Sequence, residues 1–259
     1  MEPVRKPKLV ALTREVSPTI SRCELTHLAR EPIDVGLARE QHRRYEDCLT
    51  GLGCTVHRLP AAPDLPDSVF VEDAAVVLDE LAVITRPGAG SRRAEPATAA
   101  EALKPFRELR FVEAPATLDG GDVLCLGKRV FVGLSGRSNR AAVDQLRGVL
   151  KPHGYEVAGV ELTGCLHLKT AVTKVAPGTL LVNRSWVDPA VFGDVTTIDV
   201  DPAEPFGANA LLVGEIIVYP AAFPRTRELL EGQGLRVRAV EVSELAKAEG
   251  GVTCCCILV

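Results

Sequence analysis

One pattern recurs five times along this chain of 259 residues, and it constrains the fold more than any other feature. In each copy a polar tip leads into an apolar strand, a tight turn follows, and a second apolar strand comes next. The tips begin at Glu72, Asp119, His167, Gly207 and Gly251, and the last copy is cut short after one strand. The spacing is about 40–50 residues, which is typical of repeated architectures.

A helical pattern and a further strand follow the copies, so each unit is predicted to be ββαβ. The predicted helices are 33–52, 94–104, 139–153 and 224–231, with a weak signal at 188–192, and the predicted closing strands are 54–59, 110–113, 156–162, 196–200 and 236–242. Five units that cannot each bury a core should close on one another. A strand at 8–14 is predicted to complete the truncated fifth unit. We therefore predict one α/β domain, 1–259, built as a five-unit propeller with pseudo-fivefold symmetry.

Composition argues against several classes of partner. The net charge is −4 and the basic residues are dispersed, which argues against nucleic acid or a membrane surface. No apolar run approaches transmembrane length, and segment 1–8 lacks the apolar core of a signal peptide. Eight cysteines, three of them adjacent at 254–256, suit neither a disulfide framework nor the usual zinc spacing. We therefore expect free thiols in a reducing, cytoplasmic compartment.

The repeat also predicts a functional site, because the copies carry polar residues at the start of the same strand. If the units surround an axis, those starts converge on one central pocket. The convergent set is Glu72, Asp73, Asp119, Asp122, His167, Lys169, Asn209, Thr253 and Cys254. A thiol, an imidazole and several carboxylates would then share that pocket.

Cys254 and His167 are the candidate nucleophile and base. A nucleophilic cysteine needs a base, or a cation that lowers its pKa from about 8.5. His167 opens its strand in the register that Cys254 occupies, whereas the other four histidines lie in loop or helix contexts. An isolated histidine is more often structural, so the shared register is what favours the catalytic interpretation.

The acidic tips indicate what the pocket binds. Asp67, Glu72, Asp73 and Asp119 around one pocket would be unfavourable unless a cation neutralised them. The candidates are a metal ion or a cationic substrate, and a planar guanidinium matches paired carboxylates in a bidentate manner. The alternative is that these tips are only solvated turns.

Two arginines could bind an anionic group of the substrate. Arg92 and Arg137 each follow the second strand of a unit, which places both on loops. The alternative for each is an ordinary solvated arginine.

Six segments carry a resemblance to a known family. They are LPDSVFVED at 65–73, ITRPGAGSRR at 84–93, LDGGDVL at 118–124, VGLSGRSN at 132–139, LHLK at 166–169 and TCC at 253–255. In these segments and their order the chain resembles the dimethylarginine dimethylaminohydrolases, of the guanidino-modifying (amidinotransferase/deiminase) superfamily. The resemblance implies the pentein fold, a five-unit propeller with the active site at its centre. It also implies that the N-terminal loop covers the pocket.

The resemblance implies a catalytic role for three residues and a guanidinium-binding role for two. Cys254 would be the nucleophile, His167 the general acid and base, and Asp119 the carboxylate partner of the histidine. Asp73, supported by Glu72, would hold the guanidinium nitrogens.

The remaining implied contacts bind the amino-acid end of the substrate. Asp67 and the backbone carbonyls of Leu25 and Ala248 would bind the ammonium. Arg92 and Arg137 would bind the carboxylate.

The implied reaction hydrolyses an ω-methylated arginine to citrulline and methylamine or dimethylamine. The Cys254 thiolate would attack the guanidinium carbon to give an S-alkylthiouronium intermediate, which a water activated by His167 would hydrolyse. Cys255 and Cys256 would alternate into the final strand as packing residues. No cofactor or metal is required. The implied partner is a small-molecule substrate, with the chain a monomer or a homodimer.

Three alternatives are kept. A deiminase for arginine or agmatine would use the same residues, although Arg92 and Arg137 favour a substrate with an α-carboxylate and the short chain disfavours typical arginine deiminase. A regulatory module could bind zinc through 254–256 and His167. Adjacent cysteines on a strand point to opposite faces and make a poor tetrahedral set, which leaves inhibitory zinc at Cys254. The C-terminal CILV also fits a prenylation pattern, but the end of a buried strand explains the same residues better.

Overall fold

The computed structural model describes residues 9–259, in which fifteen strands form five three-stranded sheets. In every sheet the first strand of a unit runs antiparallel to the second, and the second runs parallel to the third. This arrangement confirms the five-unit ββαβ propeller. Lys8, the predicted start of the first strand, lies outside the described residues.

The bounds of the regular elements follow the predicted ones closely. The strands are β1 (Val10–Arg14), β2 (Thr55–Leu59), β3 (Ala75–Val77), β4 (Leu81–Ile84), β5 (Glu108–Phe111), β6 (Val123–Leu126), β7 (Arg129–Leu134), β8 (Glu156–Glu161), β9 (Val172–Ala176), β10 (Thr179–Val182), β11 (Thr196–Asp199), β12 (Leu211–Val213), β13 (Ile216–Pro220), β14 (Arg236–Val240) and β15 (Ile257–Leu258). The helices are α1 (Val35–Gly51), α2 (Pro96–Leu103), α3 (Arg140–Leu150), α4 (Leu168–Ala171), α5 (Pro224–Gly232) and α6 (Ser243–Ala246). The strand predicted at 110–113 begins two residues earlier. The helices α4 and α6 escaped prediction because a single turn shows no amphipathic period.

Capping and one-sided burial explain the two longest helices. The Asp34 side chain accepts a hydrogen bond from the backbone of Leu37 at the start of α1, and Asn139 does the same for Ala142 at the start of α3. Each helix then buries an apolar face against its own sheet and the sheet of the preceding unit. Within 9–259, no helix is both long enough and apolar enough to cross a bilayer.

The chain ends meet in the fifth sheet, as predicted. Its strand order is β15-β1-β2, and Ala11 lies opposite Leu258. The predicted strand through Cys255 and Cys256 is wrong, because the chain stays in turns until β15 begins. Both cysteines are nevertheless buried.

The first strands of the five units surround the axis of the propeller. A cavity of about 310 Å³ is lined by residues of β3, β6, β9, β12 and β15 together. Glu72, Lys169 and Thr253 also line it. The polar tips of the repeat therefore lie near one another at the axis.

Candidate active site

The polar tips lie one helical turn before the first strands and not at the strand starts, which corrects the predicted register. Asp73 is in a short 3₁₀ turn before β3, and His167 immediately precedes α4. Asp119 precedes a 3₁₀ turn before β6, and Cys254 lies in the turns before β15. The turn occurs at the same place in several units, so the polar tips still converge on the axis. The predicted grouping of these residues is therefore retained.

His167 and Asp119 form a buried pair. The His167 Nε2 atom lies 3.1 Å from Asp119 Oδ2, and Asp119 Oδ1 accepts a hydrogen bond from the backbone of Gly88 at 2.9 Å. Burial alone would lower the pKa of His167, but the nearby carboxylates of Asp73, Asp122 and Asp119 raise it to about 9. The imidazole is therefore held as a cation at neutral pH.

Asp73 approaches His167 across the backbone of Gly121. The Gly121 amide donates to Asp73 Oδ1 at 3.0 Å. A β-carbon at Gly121 would lie 2.8 Å from His167 Nδ1 and 2.9 Å from Asp73 Oδ1, so only glycine fits there. The second glycine of the Asp-Gly-Gly-Asp motif at 119–122 therefore allows Asp73 and His167 to approach the backbone closely.

Arg92 is buried against Asp73 and Glu95. It donates from Nη1 to Asp73 Oδ2 at 2.7 Å and from Nη2 to Glu95 Oε2 at 2.8 Å. Burial would raise the pKa of Asp73, but His167 and Arg92 hold it below its usual range. Glu95 was missed from the sequence, although its i+3 spacing from Arg92 could have indicated the pair.

Asp122 binds the backbone next to His167 and two serine side chains. Its Oδ1 accepts from the backbone of Leu168 at 3.0 Å, and its Oδ2 accepts from Ser135 and Ser138. Burial raises the pKa of Asp122 to about 6. Because Leu168 opens α4, this carboxylate fixes the backbone that carries His167.

Cys254 is partly exposed, whereas its two neighbours are buried. The Gly251 amide donates to Cys254 Sγ at 3.3 Å. Burial and the carboxylates of Glu72 and Asp73 raise the pKa of Cys254 to about 12. The ligand-free thiol is therefore protonated at neutral pH.

A hydrogen-bonded ring lies beneath the thiol and includes three members of the convergent set that were given no role. Lys169 Nζ donates to Glu72 Oε1 at 2.6 Å, and Thr253 Oγ1 donates to Glu72 Oε2 at 2.6 Å. The Asn209 amide donates to Thr253 Oγ1 at 3.0 Å and to the Lys169 carbonyl at 3.1 Å. The ring links Glu72 to the residue that precedes Cys254.

Two cavities adjoin His167 and Cys254, and both residues line each of them. The smaller cavity, of about 10 Å³, is also lined by four of the predicted contacts with the amino-acid end, namely Asp67, Arg92, Arg137 and Ala248, together with Glu24 and Asp73. The larger cavity, of about 210 Å³, has mostly apolar walls that include Phe206, Phe223 and Val242. These predicted contacts therefore gather on one side of the thiol, whereas Glu72 lines the larger cavity.

The N-terminal loop lies over the smaller cavity. The Glu24 amide contacts both Asp67 oxygens at 3.2 Å, and Arg137 Nη2 donates to Thr26 Oγ1 at 3.1 Å. Leu25, between these contacts, is partly buried and packs against an apolar cluster. Burial raises the pKa of Asp67.

Asp73, Asp119 and His167 could also hold a cation. One ligand atom from each lies within 4.8 Å of the others, and all three residues are buried. This carboxylate and imidazole set does not include Cys254, where the sequence left inhibitory zinc open, so that zinc stays a prediction.

Comparisons with known proteins find dimethylarginine dimethylaminohydrolases among the relatives of this chain. The chain is 42% identical over 250 residues to N(G),N(G)-dimethylarginine dimethylaminohydrolase of Streptomyces coelicolor, and the match covers 96% of each chain. A cysteine-to-serine mutant of the Pseudomonas aeruginosa enzyme in complex with citrulline has a TM-score of 0.91 at 33% identity, covering 96% of this chain and 98% of that one. A histidine-to-glycine variant of a dimethylarginine dimethylaminohydrolase, as an adduct with S-methyl-L-thiocitrulline, has a TM-score of 0.90 at 33% identity with the same coverage. No protein-family model matches the chain.

Proposed function

The chain belongs to the dimethylarginine dimethylaminohydrolase family and hydrolyses the guanidino group of methylated arginines, and we propose that it does so through a covalent intermediate on Cys254. The observation that carries the proposal is the shared position of His167 and Cys254, which line both cavities beside the acidic tips. The related enzyme in complex with citrulline and the S-methyl-L-thiocitrulline adduct support it.

The substrate spans the two sides of the thiol. Its ammonium binds Asp67 and the carbonyls of Leu25 and Ala248, and its carboxylate binds Arg92 and Arg137. Its guanidinium lies at the thiol, where Asp73 and Glu72 complement its charge. The methylated nitrogen then faces the larger, apolar cavity.

Binding of a cation makes the thiol reactive. Glu72 and Asp73 help to raise the pKa of Cys254, and a guanidinium beside these carboxylates offsets their charge. The thiol proton is then lost more easily to solvent, because His167 already carries a proton, and the thiolate forms next to its electrophile. This coupling confines the strong nucleophile to the substrate complex.

The reaction proceeds by two displacements. The Cys254 sulfur bonds to the guanidinium carbon, and the C–N bond breaks as protonated His167 gives its proton to the departing methylamine or dimethylamine. Neutral His167 then takes a proton from water, and the hydroxide adds to the thiouronium carbon. The C–S bond breaks, the hydroxyl proton of the tetrahedral adduct passes to solvent, citrulline keeps the oxygen of the water as its carbonyl, and the thiolate returns. Asp119 holds the imidazole in place throughout, and the steps use no cofactor.

Turnover and adduct mapping test this function together. Purified protein is incubated with asymmetric dimethylarginine, monomethylarginine, arginine or agmatine, and citrulline and the released amine are both quantified. We expect equal amounts of citrulline and dimethylamine from dimethylarginine, and a quenched adduct on Cys254 by peptide mass spectrometry. Faster turnover of arginine or agmatine would make the chain a deiminase, and an adduct on Cys255 or Cys256 would move the nucleophile.

The compartment is the cytoplasm in this proposal. All eight cysteines, each within the described part of the chain, are free thiols, which supports a reducing environment. A monomer or a homodimer stays the prediction for the assembly.

A further inference from the structure

Glu249 joins the loop that bears the thiol to the N-terminal loop. Its carboxylate accepts hydrogen bonds from three consecutive backbone amides, those of Thr26 at 3.0 Å, His27 at 2.5 Å and Leu28 at 2.7 Å. Three amide donors on one carboxylate make a strong, charge-assisted contact. The residue had no role in the sequence prediction.

The backbone at Glu249 is one that usually takes glycine. Its φ is 59°, and no other residue apart from glycine has a positive φ in 9–259. The Glu249 amide donates to the Ala246 carbonyl and the Gly250 amide donates to the Leu245 carbonyl, both at 3.0 Å, so α6 ends in a Schellman motif with Glu249 at its left-handed position. A glutamate here bears strain that glycine would avoid, which indicates that its side chain has a use.

The contact lies between two carbonyls that were assigned to one substrate group. Leu25 immediately precedes the three amide donors, and Ala248 immediately precedes the carboxylate that accepts from them. The contact therefore constrains the separation of these carbonyls, which come from opposite ends of the chain. Asp67, the third proposed ammonium ligand, binds the same loop through the Glu24 amide.

We propose that Glu249 is a positioning residue that holds the Leu25 and Ala248 carbonyls at the spacing required by the substrate ammonium. It acts through the loop and does not touch the reacting atoms. The substrate part of this inference rests on the proposed function, whereas the loop contact stands on the geometry alone.

Variants at this position separate the carboxylate from the backbone strain. Glu249→Gly relieves the left-handed strain and removes the carboxylate, and Glu249→Ala removes the carboxylate while keeping the strain. Glu249→Asp keeps a carboxylate and suits a left-handed backbone better than most residues. The matched control is Glu228→Ala, at an exposed glutamate on α5.

Hydrogen exchange of the ligand-free protein tests the loop contact. We expect the amides of residues 26–28 to exchange about tenfold faster or more in both Gly and Ala variants, since charge-assisted hydrogen bonds are lost in each. The Asp variant should recover part of the protection, and Glu228→Ala should match the wild type. Unchanged protection in Glu249→Gly would overturn the contact.

Kinetics with a substrate pair tests the positioning role. The pair is dimethylarginine and its analogue without the α-amino group, 5-(dimethylguanidino)pentanoate. We expect Glu249→Gly to raise KM for dimethylarginine about tenfold with a smaller change in kcat, and to affect the analogue much less. Equal losses for both substrates would reduce Glu249 to a general support of the loop and overturn the positioning role. If the wild type hydrolyses neither, the proposed function fails, and the exchange experiment still decides the loop contact.

Discussion

The Arg92 guanidinium donates from Nη1 to Asp73 Oδ2 at 2.7 Å, and both side chains are buried. The sequence assigns these residues to opposite ends of the substrate, Arg92 to its carboxylate and Asp73 to its guanidinium. Their direct contact means that the two ends of the pocket share one charge network, which Glu95 completes on the far side of Arg92. Binding at one end is therefore coupled electrostatically to the other.

Replacement of Arg92 by methionine should destabilise the fold. The variant leaves the Asp73 and Glu95 carboxylates buried without the guanidinium that they share, and breaking a buried pair costs about 3–5 kcal/mol. The free energy of unfolding from urea denaturation measures the loss. Arg140→Met, at an exposed arginine paired with Glu161, is the control and should unfold close to the wild type. Equal midpoints for the two variants would contradict the buried network.

Substitution of the adjacent cysteines should have very different effects on kcat. We expect Cys254→Ser to lower kcat on the order of 10³-fold or more, because the serine hydroxyl is a far weaker nucleophile here. Cys255→Ala should keep most of the activity, since its buried thiol donates only to the Gly251 carbonyl. Citrulline formation is the assay. Loss of turnover in Cys255→Ala with an unchanged circular dichroism spectrum would count against the assignment.

The pH dependence of kcat/KM should rise towards alkaline pH. In the free enzyme the pKa of His167 is about 9 and the pKa of Cys254 is about 12, so at neutral pH both groups hold their protons. The reactive form has one proton fewer in this coupled pair, as thiolate with imidazolium or as thiol with imidazole. It accumulates as pH rises through about 9 and is lost as pH rises through about 12, so kcat/KM should increase about tenfold per pH unit below 9. A profile that falls between about pH 7 and pH 9 would rule out this pair.

Local pattern was sufficient to predict the architecture. Apolar strands, turns and helical periods recur in each unit, and the same information placed His167 and Cys254 in one group. The ends of α1 and α3 follow from Asp34 and Asn139, whose capping is encoded within three residues. These features depend on neighbours in the sequence, which a pattern can report.

Contacts between distant segments could not be predicted in the same way. Glu249 meets residues 26–28 across more than two hundred positions, and nothing at either end of the chain signals that meeting. The burial of Arg92 likewise depends on how its loop folds against Asp73. The short turns before the first strands shifted the register because four residues carry too little periodicity to separate helix from strand.

Replacement of Lys169 by methionine should lower the reactivity of the Cys254 thiol. Burial opposes the charge of this lysine, but the Glu72 carboxylate raises its pKa and holds it as a cation. Without that cation, Glu72 acts on Cys254 uncompensated, and a nearby negative charge raises the pKa of a thiol further. We expect the thiolate fraction to fall by a similar factor at every pH below about 12, because the midpoint at about pH 9 belongs to His167. Iodoacetamide should then alkylate Cys254 more slowly, and kcat/KM should fall along the whole rising limb. Lys174→Met, on β9, is the matched control and should keep the wild-type rates. A loss of kcat/KM with unchanged alkylation of Cys254 would show that Lys169 supports the fold or the binding of substrate without setting the charge of the thiol.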